Sequence, residues 1–311
     1  MVIDYGGGVR AIDSHMHGRA GVTAVYCFPA PAPAIIDTAP ATSLEAILTG
    51  LEELGIDDLA WIILTHIHLD HAGAAGHLAE RFPRARVVVR EEGAPHLIDP
   101  SRLWASASRL YDDMEGMWGS MRPVPADRLD VVGADGVVAD LGDGRVLSAV
   151  YTPGHAAHHM ALVEAASGDV FAGDALGVFL AEMGAVHPAT PPPEFNLEAA
   201  VDSIGRLQAL GPSRLFPTHF GPLPAAGAGL APYLAEGASA LRRVVTVAEA
   251  VVASGGGVAQ IAEALEEEEL RLVGPLDDAL SDRLAHAIPH SLNAMGVARY
   301  LSKVRGMTVP K

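Results

Sequence analysis

The chain has 311 residues, half of them hydrophobic, 19% charged and one a cysteine, which excludes a disulfide-stapled miniprotein and a wholly disordered chain and allows one large domain or two modest ones. Lys plus Arg number 21 against 38 Asp plus Glu, a formal charge of −17, so the mean surface field repels phosphate backbones and argues against nucleic acid or an anionic membrane as a partner. Asp4 and three glycines stand where a signal peptide needs an apolar run, and no stretch approaches the roughly 20 apolar residues of a membrane span, so the expected location is the cytoplasm.

Short apolar runs at Val22 to Phe28, Ala34 to Ile36, Ala60 to Leu64 and Arg86 to Val89, bounded by Pro, Gly or charge, read as strands. His15 and His17 extend an earlier strand-like stretch after Asp13, where a third metal or a substrate contact is conceivable. Between the strands, Leu44, Ile47, Leu48, Leu51 and Leu54 recur at helical spacing, with Thr42 and Glu45 as a capping box and Gly55 as a stop. A loop from Thr65 to His71 leads into a second helix from about Ala72. Residues 91–128 carry Leu97, Trp104, Met114, Met117 and Trp118 and read as a helical insertion, either ordinary packing surface or a lid over a substrate pocket. Strands return at Val146 to Tyr151, His159 to Glu164 and Val170 to Ala172, the last two joined by a turn at Ser167-Gly168-Asp169. From about Ala231 the composition turns to Ala, Leu, Glu and Arg with helical period, and Gly255-Gly256-Gly257 connects helices, since it lacks the Lys-Ser/Thr of a phosphate loop. Strands and helices in this order imply sheets covered by helices, an α/β layered class.

The segment His66-Ile67-His68-Leu69-Asp70-His71 places four metal-capable side chains within six residues, just past an apolar run. A lone histidine is usually a surface or hydrogen-bonded residue. Burying three imidazoles and a carboxylate together is costly unless a divalent cation is shared, and a nitrogen and oxygen donor set without thiolate suits zinc, iron or manganese. Three further pieces lie downstream: Thr152-Pro153-Gly154-His155, Ala172-Gly173-Asp174 and Thr218-His219.

Together these motifs resemble the metallo-β-lactamase-fold hydrolases, whose signature is His-x-His-x-Asp-His followed by His, Asp and His. The resemblance covers roughly residues 9–222 and is silent on the helical tail. It implies a four-layer αββα sandwich, with a catalytic domain over residues 1–228 and a helical C-terminal region over 229–311. It further implies two divalent metal ions, zinc first and iron or manganese as alternatives. His66, His68 and His155 would hold one ion, Asp70, His71 and His219 the other, and Asp174 would bridge them around a hydroxide. The two cations against two carboxylates and a hydroxide leave the centre at about +1, attractive to an anionic transition state inside an acidic protein.

The implied activity is hydrolysis of an ester-type bond, a lactone or a thioester, in a small molecule, with Asp70 or a metal-bound water handling the proton. Leu69 leans toward lactones, because the hydroxyacylglutathione hydrolases commonly carry a second histidine there. Two rivals share the fold: a single-iron persulfide dioxygenase, and a phosphodiesterase or nuclease that the net charge disfavours. No Gly-x-Ser-x-Gly occurs, which disfavours a serine hydrolase. Tyr111, Tyr151 and Thr218 are candidate assisting groups. His158 and His159 suit hydrogen bonding near the site, and Pro289 prevents His286 and His290 from sharing one helix. The helical tail could close the pocket or form a homodimer contact.

Overall fold

Runs of β-branched residues bounded by glycine, proline and charge build a first sheet whose order follows the chain. The computed structural model describes residues 1–224 and 229–310, gathered into two units, Met1–Tyr151 with His158–Phe171, and Thr152–Ala157 with Ala172–Lys311.

In the first unit, β1 (Val2–Gly6), β2 (Val9–Asp13), β3 (Ala24–Phe28) and β4 (Ala34–Ile36) pair antiparallel. From β4 the ladder continues parallel through β5 (Trp61–Ile63), β6 (Arg86–Arg90) and β7 (Leu129–Val132). Parallel neighbours need crossovers, which α1 (Leu44–Glu53), α2 (Leu69–Ala72) and α3 (Ala75–Arg81) help to supply. The two-residue side-chain period of β3 divides its work. Val25 and Cys27 join a cluster with Ile35, Ile62 and Val87 against Ile47 and Leu51 of α1 and Leu78 of α3. Tyr26 and Phe28 face the other way and meet Phe171 edge-on at 5.2 and 5.5 Å. Phe171 belongs to an antiparallel run of β8 (Gly136–Gly142), β9 (Arg145–Tyr151), β10 (Met160–Glu164) and β11 (Asp169–Gly173). The sheet is therefore covered by helices on one face and by a second sheet on the other.

Gly50 of α1 lies so close to β2 that a Cβ there would sit 2.6 Å from two carbons of Ile12. The helix stops at Gly55, which takes a left-handed φ of 69°. The expected insertion is three short helices, α4 (Ala94–Ile98), α5 (Ser101–Ala107) and α6 (Met114–Trp118). Leu97, Met114 and Trp118 are buried, and Leu103 and Met121 pack against the core cluster.

Two local expectations are corrected. Thr42 does not cap α1: its hydroxyl donates to the Met117 carbonyl at 2.9 Å, and Ser43 occupies the cap position without a side-chain bond. His15 and His17 lie in a turn, not a strand, with φ of 49° and 53°. Strands β1, β2, β7 and β8, each interrupted by a charged residue, do not read as apolar runs.

In the second unit, β12 (Val178–Phe179) and β13 (Val186–His187) form a hairpin. It is followed by α7 (Leu197–Ala209), β14 (Arg214–Pro217), α8 (Ala231–Ala253), α9 (Val258–Val273), α10 (Asp278–Ala287) and α11 (His290–Lys303). The triglycine segment joins α8 to α9 as expected, and Pro289 separates α10 from α11. Asn293 of α11 fastens the chain after β13: it accepts from the Thr190 amide at 2.7 Å and donates to the Pro188 carbonyl at 3.0 Å. The expected boundary between residues 1–228 and 229–311 falls at 225–228 and lies outside the described residues. No helix among the described residues is long and apolar enough to cross a membrane.

Candidate metal centre

The first unit carries its metal-capable side chains past the carboxyl ends of the parallel strands, the end of an α/β sheet where ligands gather. Asp37 follows β4, Thr65 and His66 follow β5, and His68, Asp70 and His71 lie at the start of α2. His66 and His71 are buried, and His68 and Asp70 are half-buried.

Asp37 organises this set. Its carboxylate is fully buried and accepts from the Thr65 amide at 2.8 Å, the Thr65 hydroxyl at 2.9 Å and His71 Nδ1 at 2.9 Å. The His71 carbonyl in turn accepts from the Thr38 hydroxyl at 2.9 Å. With its Nδ1 proton given to Asp37, His71 presents a lone pair at Nε2, 3.6 Å from an Asp70 oxygen. His66 follows the same rule: Nδ1 lies 3.1 Å from the Thr65 hydroxyl, whose own proton goes to Asp37. Its Nε2 lies 3.0 Å from His68 Nδ1, a spacing that a proton or a shared cation satisfies.

His158 accepts from the Ile67 amide at 3.3 Å and stacks on His66 with centroids 6.0 Å apart, so it steadies the loop that carries the donors. The His159 ring lies 5.0 Å from His66. Burial pushes the Tyr111 hydroxyl well above its ordinary pKa, and the Asp70 charge adds to the effect. Tyr111 packs edge-on against Trp118 of α6, which also meets His17, each at 5.0 Å. Tyr151 is occupied elsewhere, under the Arg90 guanidinium at 4.3 Å.

The second unit carries the remaining three residues, all buried. The loop to His155 passes α7 so closely that a Cβ on Gly154, at φ 128°, would lie 2.2 Å from the Ala200 nitrogen. His155 donates from Nδ1 to the Ala189 carbonyl at 3.0 Å, which leaves its Nε2 to face Asp174 Oδ2 at 3.5 Å. The other oxygen, Asp174 Oδ1, lies 3.8 Å from His219 Nε2. Asp174 thus turns one oxygen toward each histidine. The His219 carbonyl accepts from Phe179 of β12 at 2.7 Å, and the Thr218 amide donates to Gly173.

His155 and His71 each give the second ring nitrogen to an oxygen acceptor, as metal-binding imidazoles ordinarily do. The donor set consists of imidazole nitrogens and carboxylate oxygens, and the single cysteine, Cys27, is buried in β3. The residues fit divalent zinc, iron or manganese. His286 and His290 lie on α10 and α11, apart from these residues. Sequence reasoning missed Asp37 and the Ala189 carbonyl. An isolated acid directly after the apolar run Ala34 to Ile36 was the available signal for Asp37, because a carboxylate at a buried strand end needs partners.

Known proteins resemble this chain. A family model described as the metallo-beta-lactamase superfamily matches residues 32–219. ST1585 of Sulfurisphaera tokodaii, a metallo-beta-lactamase fold-containing protein, is 31% identical over 170 residues, 53% of this chain and 62% of that protein. A hydroxyacylglutathione hydrolase of Synechococcus sp. is 30% identical over 177 residues, 57% and 54% of the two chains. The N-acyl homoserine lactonase AttM of Rhizobium radiobacter is 31% identical over 119 residues, 36% and 39%. The matched stretch spans less than two thirds of each of these three relatives. The crystal structure of ST1585 superposes with a TM-score of 0.68 at 22% identity, covering 93% of this chain and 98% of that one, which fixes the fold. The motif residues all fall within the matched span, and the chain belongs to the metallo-beta-lactamase superfamily.

Proposed function

We propose that this protein is a metal-dependent hydrolase that opens a lactone or thioester in a small molecule, using two divalent ions, zinc first. His66, His68 and His155 would hold one ion, and Asp70, His71 and His219 the other, with Asp174 shared. The observation that carries the reading is the pairing of Asp174, one oxygen toward His155 and one toward His219. Within the first unit, His66 beside His68 and His71 beside Asp70 support it. The names of two relatives, a hydroxyacylglutathione hydrolase and a homoserine lactonase, support the choice of bond.

When bound, the ions supply Lewis acidity toward the substrate carbonyl and bring the ionisation of water near neutral pH. The chain's own residues do the rest. Asp37 and the Ala189 carbonyl hold His71 and His155 in the tautomer that presents Nε2. Asp70, half-buried beside His71, takes the proton released by the attacking water at its carboxylate. Tyr111 keeps its hydroxyl proton through neutral pH and can donate it as a hydrogen bond near Asp70. Leu69, buried at the start of α2, stands where the hydroxyacylglutathione hydrolases commonly carry a second histidine, which leans toward lactones.

Metal analysis coupled to turnover tests the proposal. Two ions per chain and oxygen-independent cleavage of an acyl homoserine lactone or an acyl thioester are expected, with Asp70→Asn lowering turnover at least a hundredfold. One iron per chain with oxygen uptake on a persulfide would overturn it.

A further inference from the structure

The helices after β13 enclose a cavity of about 390 Å³ within the second unit. It shares no residue with the His and Asp set described above. Its size falls in the range of about 300–1,000 Å³ common for small-molecule sites. The walls are apolar: Val244 of α8, Leu265 of α9, Leu284 of α10 and Ile288 beyond it, with Leu272 half exposed at the rim.

One polar group in this wall is unusual. His187, at the end of β13, is only 7% exposed, and its Nδ1 contacts the Glu269 carboxylate of α9, which His290 also contacts at 2.9 Å. His187 Nε2 is buried in the cavity lining and has no hydrogen-bond partner among the described residues. A buried polar atom left this way costs about 1–3 kcal/mol, and native proteins rarely retain one without a use. With Nδ1 directed at an acceptor-only carboxylate, the uncharged ring offers Nε2 as a hydrogen-bond acceptor. The charges around the cavity are Glu236, Glu268 and Glu269 against Arg243, and Arg243 is already bonded to Glu236 at 2.6 Å. An anionic head would meet excess negative charge there.

We propose that this cavity is a binding site for an uncharged amphiphile, an apolar chain whose hydroxyl-type head donates to His187 Nε2. The apolar walls take the chain, and Glu269 fixes the ring that reads the head.

The test uses the full chain titrated calorimetrically with 1-octanol and with octanoate. The expected result is 1-octanol binding at least tenfold more tightly than octanoate. Leu272→Trp, which narrows the exposed rim, should weaken octanol at least fivefold, and His187→Phe should do the same by removing the acceptor. If His187→Phe fails to fold by circular dichroism, Leu272→Trp and the alcohol-to-carboxylate ratio carry the test. Octanoate binding as tightly as octanol, octanol binding unaltered in the folded variants, or no octanol binding up to its solubility each overturns the proposal. Hydrolytic activity and metal content do not enter the readout.

Discussion

Asp37→Asn separates the orientation of a metal ligand from ligation itself. The carboxylate accepts on both oxygens: the Thr65 amide and hydroxyl on one, His71 Nδ1 and the same hydroxyl on the other. Asparagine keeps the volume but offers one acceptor and one NH2 donor. If the oxygen stays on Thr65, the NH2 faces His71 Nδ1, which must then give up its proton, and the proton moves to Nε2, the nitrogen needed for the metal. If the oxygen turns to His71, the buried Thr65 amide loses its acceptor, at about 1–3 kcal/mol. Loss of such an outer partner typically lowers metal affinity about 10–100-fold, or about 1.4–2.7 kcal/mol. Competition for zinc against a chromophoric chelator measures this directly, with circular dichroism confirming the fold. Zinc affinity within twofold of the wild type in a folded Asp37→Asn protein would refute the assignment of Asp37 as the group that sets the His71 tautomer.

Gly50→Ala should destabilise by about 1–3 kcal/mol in urea, because the new methyl lands 2.6 Å from Ile12 carbons in a packed layer. Asn293→Ala strips the Thr190 amide of its acceptor, leaves the Thr190 hydroxyl only the backbone carbonyl of residue 293 and releases the carbonyl of Pro188; it should cost about 1–3 kcal/mol and weaken zinc binding, since neighbouring Ala189 orients His155. Burial raises the Glu269 pKa, but hydrogen bonds from His187 and His290 outweigh it and bring it from 4.5 to about 2. A depressed folded pKa stabilises above the unfolded value and loses that contribution as the pH falls. The stability advantage of wild type over Glu269→Gln in urea melts should therefore hold at pH 5 to 7 and shrink from about pH 4.5 toward about 2; an advantage that grows on acidification would contradict it.

The residues proposed as ligands were legible because their chemistry is compressed into short motifs. Four donors crowded into six residues repel one another's burial unless a cation is shared, and a strand end is a natural place for them. The helix Leu44–Glu53 was legible because its apolar positions repeat on one face, and its stop because Gly55 can take a left-handed turn. What a residue does across a fold is a different kind of information. Asp37 looks like a turn residue until β4 pairs with β5 and brings it to Thr65. Thr42 has the local pattern of a cap, but α6 offers its hydroxyl a carbonyl 75 residues away, and the tertiary partner wins. Strand β1 carries Asp4 and Gly6 and β2 carries Arg10 and Asp13 within five residues each, so their periodicity is diluted although Ala11 and Ile12 are buried. The pair His187 and Glu269 is likewise invisible until β13 meets α9.

The orienting acceptors also differ in kind. His71 leans on a buried carboxylate, His66 on a hydroxyl that passes its proton to the same carboxylate, and His155 on a neutral backbone carbonyl. A charged acceptor raises the basicity of an imidazole more than a neutral one does, and the effect is larger where solvent is excluded. Within the first unit, the fully buried Asp37 touches His71 directly and His66 through Thr65, so these two imidazoles are the more strongly polarised nitrogen donors. Within the second unit, His155 leans on a neutral carbonyl, and Asp174 turns its two oxygens to two different histidines.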